Sequence, residues 1–77
     1  MHKLLDTVAL TQDQPEAGLR RGDVGAVVEV LCHETYEVEF VAASGRTQAL
    51  IALGEADIRA LGDRDLIAVR TLAETDA

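Results

Sequence analysis

Aromatic side chains are nearly missing from this chain, which has one Phe, one Tyr and no Trp in 77 residues. Single-stranded nucleic-acid binders, RNA-recognition modules and proline-motif readers stack bases or cradle prolines on several exposed rings, and this chain cannot supply several. Cysteine is equally scarce. Cys32 stands alone, so no internal disulfide staples the fold and a reducing compartment fits. Basic residues are outnumbered, 7 Lys plus Arg against 14 Asp plus Glu, for a net charge of −7 and a pI near 4.5. Such a balance repels phosphate backbones and anionic membranes, so both are disfavoured as partners. Leu4-Leu5 is far too short for a signal or spanning segment, and a soluble, cytoplasmic protein is expected.

A chain of 77 residues is one domain. At this size only ~60% of the unfolded surface is buried on folding, which leaves stability marginal and makes a partner or a second copy useful. The core must come from Val, Leu, Ile and Ala.

The pattern along the chain is that of short strands and turns. Leu4 to Leu10 reads as a first strand with Val8 and Leu10 on one face and Thr7 and Ala9 on the other. Thr11 to Gly18 is polar, holds the only proline, and reads as a long loop from which Leu19 returns to the core. Gly22 and Asp23 form a tight turn into a second strand, and Gly25 lets that strand bend. Thr35 to Val41 follows as its hairpin partner.

Alternation of faces predicts the register of this hairpin. Pairing Val30 with Tyr36, Val28 with Val38 and Ala26 with Phe40 keeps one face apolar and leaves Leu31 to Thr35 as the connection. The same register sets Glu29 against Glu37, with Glu39 diagonal to them, a like-charge arrangement that costs a few tenths to about 1 kcal/mol. Two outcomes follow for this face. Either Arg46 or Arg59 reaches over from a neighbouring strand and neutralises it, or Glu29, Glu37 and Glu39 form an acidic docking surface for a basic protein.

After the turn signal Ala43-Ser44-Gly45, Thr47 to Leu53 supplies a fourth strand with Ala49, Ile51 and Leu53 on one face. Glu55 to Leu61 is expected to hold a single helical turn and a brief closing strand, with Ile58 plugging the core. Asp65 to Leu72 fits an extra strand better than a short helix, because β-branched Ile67 and Val69 alternate with Ala68 and Arg70. Ala73 to Ala77 should fray. The expected division is thus a barrel over residues 1–62 and an extension over residues 63–77.

No constellation of catalytic residues emerges, and no enzyme activity is expected. Arg21-Gly22-Asp23 spells a cell-adhesion tripeptide that a turn explains better. Cys32 and His33 are adjacent, yet zinc needs three or four ligands and the only other histidine is His2, near a terminus expected to fray. Cys32 is flanked by Glu34, which opposes thiolate formation. Asp6, Asp13, Glu16 and Asp57 lack the apolar surroundings that would raise a carboxyl pKa for acid–base work, and Ser44 has no base nearby in sequence. Neither a metal nor a cofactor is expected.

Leu4 to Leu10, the Leu19 to Gly25 stretch with its Gly-Asp-x-Gly turn, Val28 to Val30 and Tyr36 to Phe40 together resemble a family of short bacterial domains of unknown function. The likeness runs from Leu4 to Leu61. The resemblance implies an all-β, five-stranded SH3-like barrel, distantly similar to KOW domains and to the nitrile hydratase β-subunit, and brings no activity with it. Members of this kind look like partner-binding proteins, antitoxin and immunity proteins among them. The turn at Ala42 to Gly45 is less charged than the family pattern, so no site is carried over to it. The leading expectation is a non-enzymatic protein-binding module whose acidic face takes a partner such as a basic toxin, with a homodimer through an edge strand as a further possibility. The alternatives are a KOW-like barrel that uses Arg20, Arg21, Arg46 and Arg59 as a nucleic-acid patch, and a structural subunit of an enzyme complex.

Overall fold

The computed structural model describes residues 1–72, so the expected fraying of residues 73–77 lies outside the described residues. Five strands form one antiparallel sheet: β1 (Thr7–Leu10), β2 (Val24–Val30), β3 (Thr35–Val41), β4 (Thr47–Gly54) and β5 (Ile58–Ala60), in the order β4-β3-β2-β1-β5. The only helical pieces among the described residues are two 3-10 turns, Pro15–Ala17 and Glu55–Asp57. The protein is therefore all-β, as its turn spacing predicts. The second 3-10 turn and the brief β5 fall where the sequence placed a helical turn and a closing strand.

Val8, Leu10, Leu19, Val27, Tyr36, Val38, Phe40, Leu53 and Ile58 make the core, with Ala17, Ala49 and Ile51 packed against it. Leu19 does return inward. The loop before it closes on itself through reciprocal backbone bonds, Gln14 N–H to Leu19 O and Leu19 N–H to Gln14 O, both 3.0 Å. β1 is shorter than expected, because Leu5 takes a left-handed φ of 72° and Leu4 and Leu5 stay exposed in a turn. Once the strand begins, Val8, Ala9 and Leu10 are all buried, so β1 is covered on both faces.

The hairpin register is half as predicted. Val30 does face Tyr36 and Glu29 does face Glu37, but a bulge between Val27 and Glu29 shifts the remainder, so that Val38 faces Val27 and Glu39 faces Ala26. Val28 is the extra residue. An inserted residue slips the alternation by one, so Val27 rather than Val28 fills the core and Val30 is left half-exposed. Thr35 already belongs to β3, which shortens the connection to Leu31–Glu34, with His33 and Glu34 both at positive φ.

Phe40 therefore needs another neighbour than Ala26, and Gly25 provides the space. A Cβ on Gly25 would lie 2.8 Å from Phe40 Cε2 and 2.8 Å from the Glu39 carbonyl oxygen. The glycine serves close approach of ring and backbone more than strand bending. Gly25→Ala is expected to cost roughly 1–3 kcal/mol by overpacking, read as a lowered urea midpoint with unchanged m-value.

The segment after β5 departs from expectation. Asp65 to Leu72 is neither a strand nor a helix: it runs without regular structure and without a backbone hydrogen bond to the sheet among the described residues. β1 already has β2 and β5 on its two sides, and among the described residues the segment forms no backbone pairing with either sheet edge, β4 or β5.

Candidate functional site

Four turns of the chain share one construction. The backbone N–H of the first residue donates to the carboxylate of an Asp three residues on: Lys3 to Asp6 at 2.8 Å, Arg20 to Asp23 at 2.8 Å, Gly54 to Asp57 at 3.1 Å and Gly62 to Asp65 at 2.6 Å. This is the reach-back half of a capping box, and it occupies an amide that a tight turn would leave unpaired. In two of the four, an arginine also grips the aspartate.

Arg70 reaches Asp23 through Nε to Oδ1 (2.8 Å) and Nη2 to Oδ2 (2.5 Å), and Nη2 also donates to the Gly18 carbonyl (3.2 Å). Arg59 holds Asp65 in the same two-pronged way, at 2.8 and 2.9 Å. Bidentate guanidinium–carboxylate pairs fix orientation as well as distance. The two pairs pin the extension on either side of Leu66 to Val69.

Between the pins, the side chains face water. Leu66, Ile67 and Val69 are 90, 68 and 98% exposed. Beneath the segment lies a groove of about 720 Å³ whose walls include Leu19, Val24, Phe40, Val41 and Leu72. A short irregular arm with exposed apolar side chains, whose residues Leu66 to Val69 also border the groove, is thus anchored at the Gly22-Asp23 turn. Asp23 is more than a turn residue: its carbonyl accepts from Leu10 N–H and its carboxylate serves Arg20 and Arg70.

The acidic face keeps its charge. Glu29 and Glu37 lie directly opposite, Glu39 shares their side of β3, and the Glu39 carboxylate accepts from the Thr47 hydroxyl at 2.6 Å. Among the described residues no ion pair joins Arg46 or Arg59 to these three glutamates, and Arg59 is engaged by Asp65. That engagement also takes one member out of the supposed basic patch of Arg20, Arg21, Arg46 and Arg59.

His2 is buried rather than frayed. Its ring meets Tyr36 edge-on at 5.2 Å, its backbone N–H donates to the Tyr36 oxygen at 3.2 Å, and the Tyr36 hydroxyl donates to Glu55 at 2.7 Å. The Met1 ammonium lies 2.8 Å from the same carboxylate. Together these donors hold the Glu55 carboxyl below its ordinary pKa, the Met1 bond contributing most, and the hydrogen bond to Glu55 raises that of Tyr36. The cluster satisfies the single buried tyrosine and seals the β3–β4 end. Cys32 is exposed in the hairpin connection, and among the described residues no three His, Cys, Asp or Glu side chains gather at metal-binding distance. Nor is any helix among the described residues long and apolar enough to cross a membrane.

The fold and these anchors define a small all-β domain carrying a pinned C-terminal arm. Residues 4–60 match the family model of the domain of unknown function DUF4926, and the chain belongs to that family. No curated protein and no solved structure matches it. The match covers the sheet and stops before the arm.

The Asp23 carboxyl is lowered chiefly by Arg70, and that of Asp65 chiefly by Arg59 and then by the Gly62 amide. Groups depressed on folding add stability above their unfolded value of about 3.9 and lose it as pH falls through the folded value. The arm is therefore expected to stay anchored from neutral pH to about pH 4 and to release only in stronger acid. Carboxyl ¹³C titration should place both midpoints below that of an unpaired aspartate, and an ordinary midpoint for Asp23 would contradict the anchoring.

Proposed function

We propose that this chain is a non-enzymatic protein-binding module of the antitoxin or immunity kind. It takes its partner on the arm Leu66–Val69 and steers it with the acidic face Glu29, Glu37 and Glu39. The observation that carries this reading is a segment held at both ends by bidentate Arg–Asp pairs while three large apolar side chains face solvent. A backbone pinned at both ends loses little further entropy on binding, and burial of its apolar side chains supplies affinity that surface charge alone does not. Among the described residues no backbone hydrogen bond is made by Leu66 to Val69, which suits addition of the arm to a strand of the partner.

Charge selects the kind of partner. A net charge of −7 and three uncompensated glutamates favour encounter with a basic protein and oppose nucleic acid. The strand order, with a 3-10 turn leading into a short last strand, supports the SH3-like reading of the fold. A cytoplasmic setting accords with the lone exposed thiol.

Co-purification with the product of a neighbouring gene, followed by an assay of that product's toxicity, tests the reading. Leu66→Asp and Val69→Asp are expected to weaken capture about 30-fold or more at unchanged folding stability, since both side chains are already exposed. Glu37→Gln with Glu39→Gln should raise folding stability by relieving the opposed carboxylates while slowing association at low salt. If stability rises and binding to every partner is unchanged, the acidic face is no docking surface.

A further inference from the structure

β4 is one of the two edges of the sheet, and it lacks charge, proline and brevity as guards against pairing. Its eight residues, Thr47–Gly54, contain no charge and no proline. Natural edge strands are blunted by lysine, by proline, by brevity or by a covering loop. The opposite edge follows that rule: β5 has three residues and carries Arg59 at its centre. β4 does not. Among the described residues no backbone hydrogen bond reaches it from any element but β3. Gln14, Glu16 and Ala17 of the preceding loop flank Ala49 to Ala52 across an open cleft, and the loop bonds β4 only near its start, where Gln48 Nε2 donates to the Ala17 carbonyl at 3.3 Å. From Ala49 to Gly54 the outer row of backbone groups is open, and Leu50 is half-exposed beside it.

We infer that β4 pairs antiparallel with β4 of a second copy, joining two sheets into one of ten strands. Charge separates this occupant from the basic partner of the arm. An uncharged strand has nothing with which to select a charged partner, whereas a second copy presents the same uncharged strand, and two-fold symmetry sets it antiparallel. Acidic residues close to the join are Glu37 and Glu39 on β3, opposite Ala52 and Leu50, and Glu16 of the flanking loop. Across the dimer axis, β3 and its copy are three strand spacings apart, about 14 Å. That exceeds the screening length of about 8 Å at physiological salt but lies well inside the roughly 30 Å of 0.01 M salt. The pairing thus strengthens as salt rises, the reverse of an acidic face meeting a basic protein. A strand pair of this length is a small interface, and it belongs in the micromolar range.

Sedimentation velocity of the whole chain at roughly 200 µM, a concentration suited to a micromolar interface, reads the outcome. A dimer is expected at 0.15 M salt, shifting toward monomer at 0.01 M, and Leu50→Lys or Ala52→Lys should each weaken it about tenfold or more while the circular dichroism of the fold is kept. Leu66→Asp in the arm should leave the dimer intact, which separates this inference from the proposed function. Hydrogen exchange on the unmutated chain provides a reading that needs no variant. In the dimer every amide from Ala49 to Leu53 is protected, whereas an open edge leaves alternate amides fast. A monomer at both salts, or a dimer with alternate fast amides in β4, would overturn the proposal.

Discussion

Asp23 ties together parts of the chain that are far apart in sequence. Its carboxylate closes the Arg20–Asp23 turn, its carbonyl accepts from the end of β1 at Leu10, and Arg70 grips it from the far extension. A chain with few aromatic rings and no disulfide has little else to hold a segment that lies outside the sheet. The pair is partly buried, with side-chain exposures of 26% for Arg70 and 17% for Asp23, so solvent screens it less than a surface pair. The position of the arm, and with it the groove below, depends on this contact.

The sheet itself rests on fitting large side chains into a small space. Val27 and Val38 meet because the bulge at Val28 slips β2 by one residue, and Phe40 fits because Gly25 has no side chain. The bulge also parts the two strand functions. Before it β2 packs the core, and after it Glu29 and Val30 are both exposed. The result is one buried face and one acidic face on the same hairpin. Of 14 acidic residues, four aspartates close turns and Glu55 anchors the start of the chain, so a good part of the negative charge is structural.

The five strands, the pairing of the central hairpin and the turn residues could be read from the sequence because alternation and glycine placement are local signals. The opposition of Glu29 and Glu37 was readable for the same reason. The bulge was not, since Val27 and Val28 are the same residue type and either satisfies a pattern of alternating apolar positions. The arm was misread as a strand because β-branched alternation describes Ile67 and Val69 well but says nothing about whether a sheet edge is available to them. Two sequence signals bear on the arm. Arg70 is a lone cation among apolar neighbours in a chain rich in carboxylates, and Asp recurs three residues after the start of a turn at 6, 23, 57 and 65.

The central claim is that the Asp23–Arg70 pair holds the arm in place, and ¹⁵N relaxation of the backbone amides tests it most directly. The account predicts order parameters near ~0.85 for residues 64–70, falling below ~0.6 in Arg70→Gln while β1 to β5 keep theirs. An arm already mobile in the unmutated chain, or equally rigid without Arg70, would contradict it.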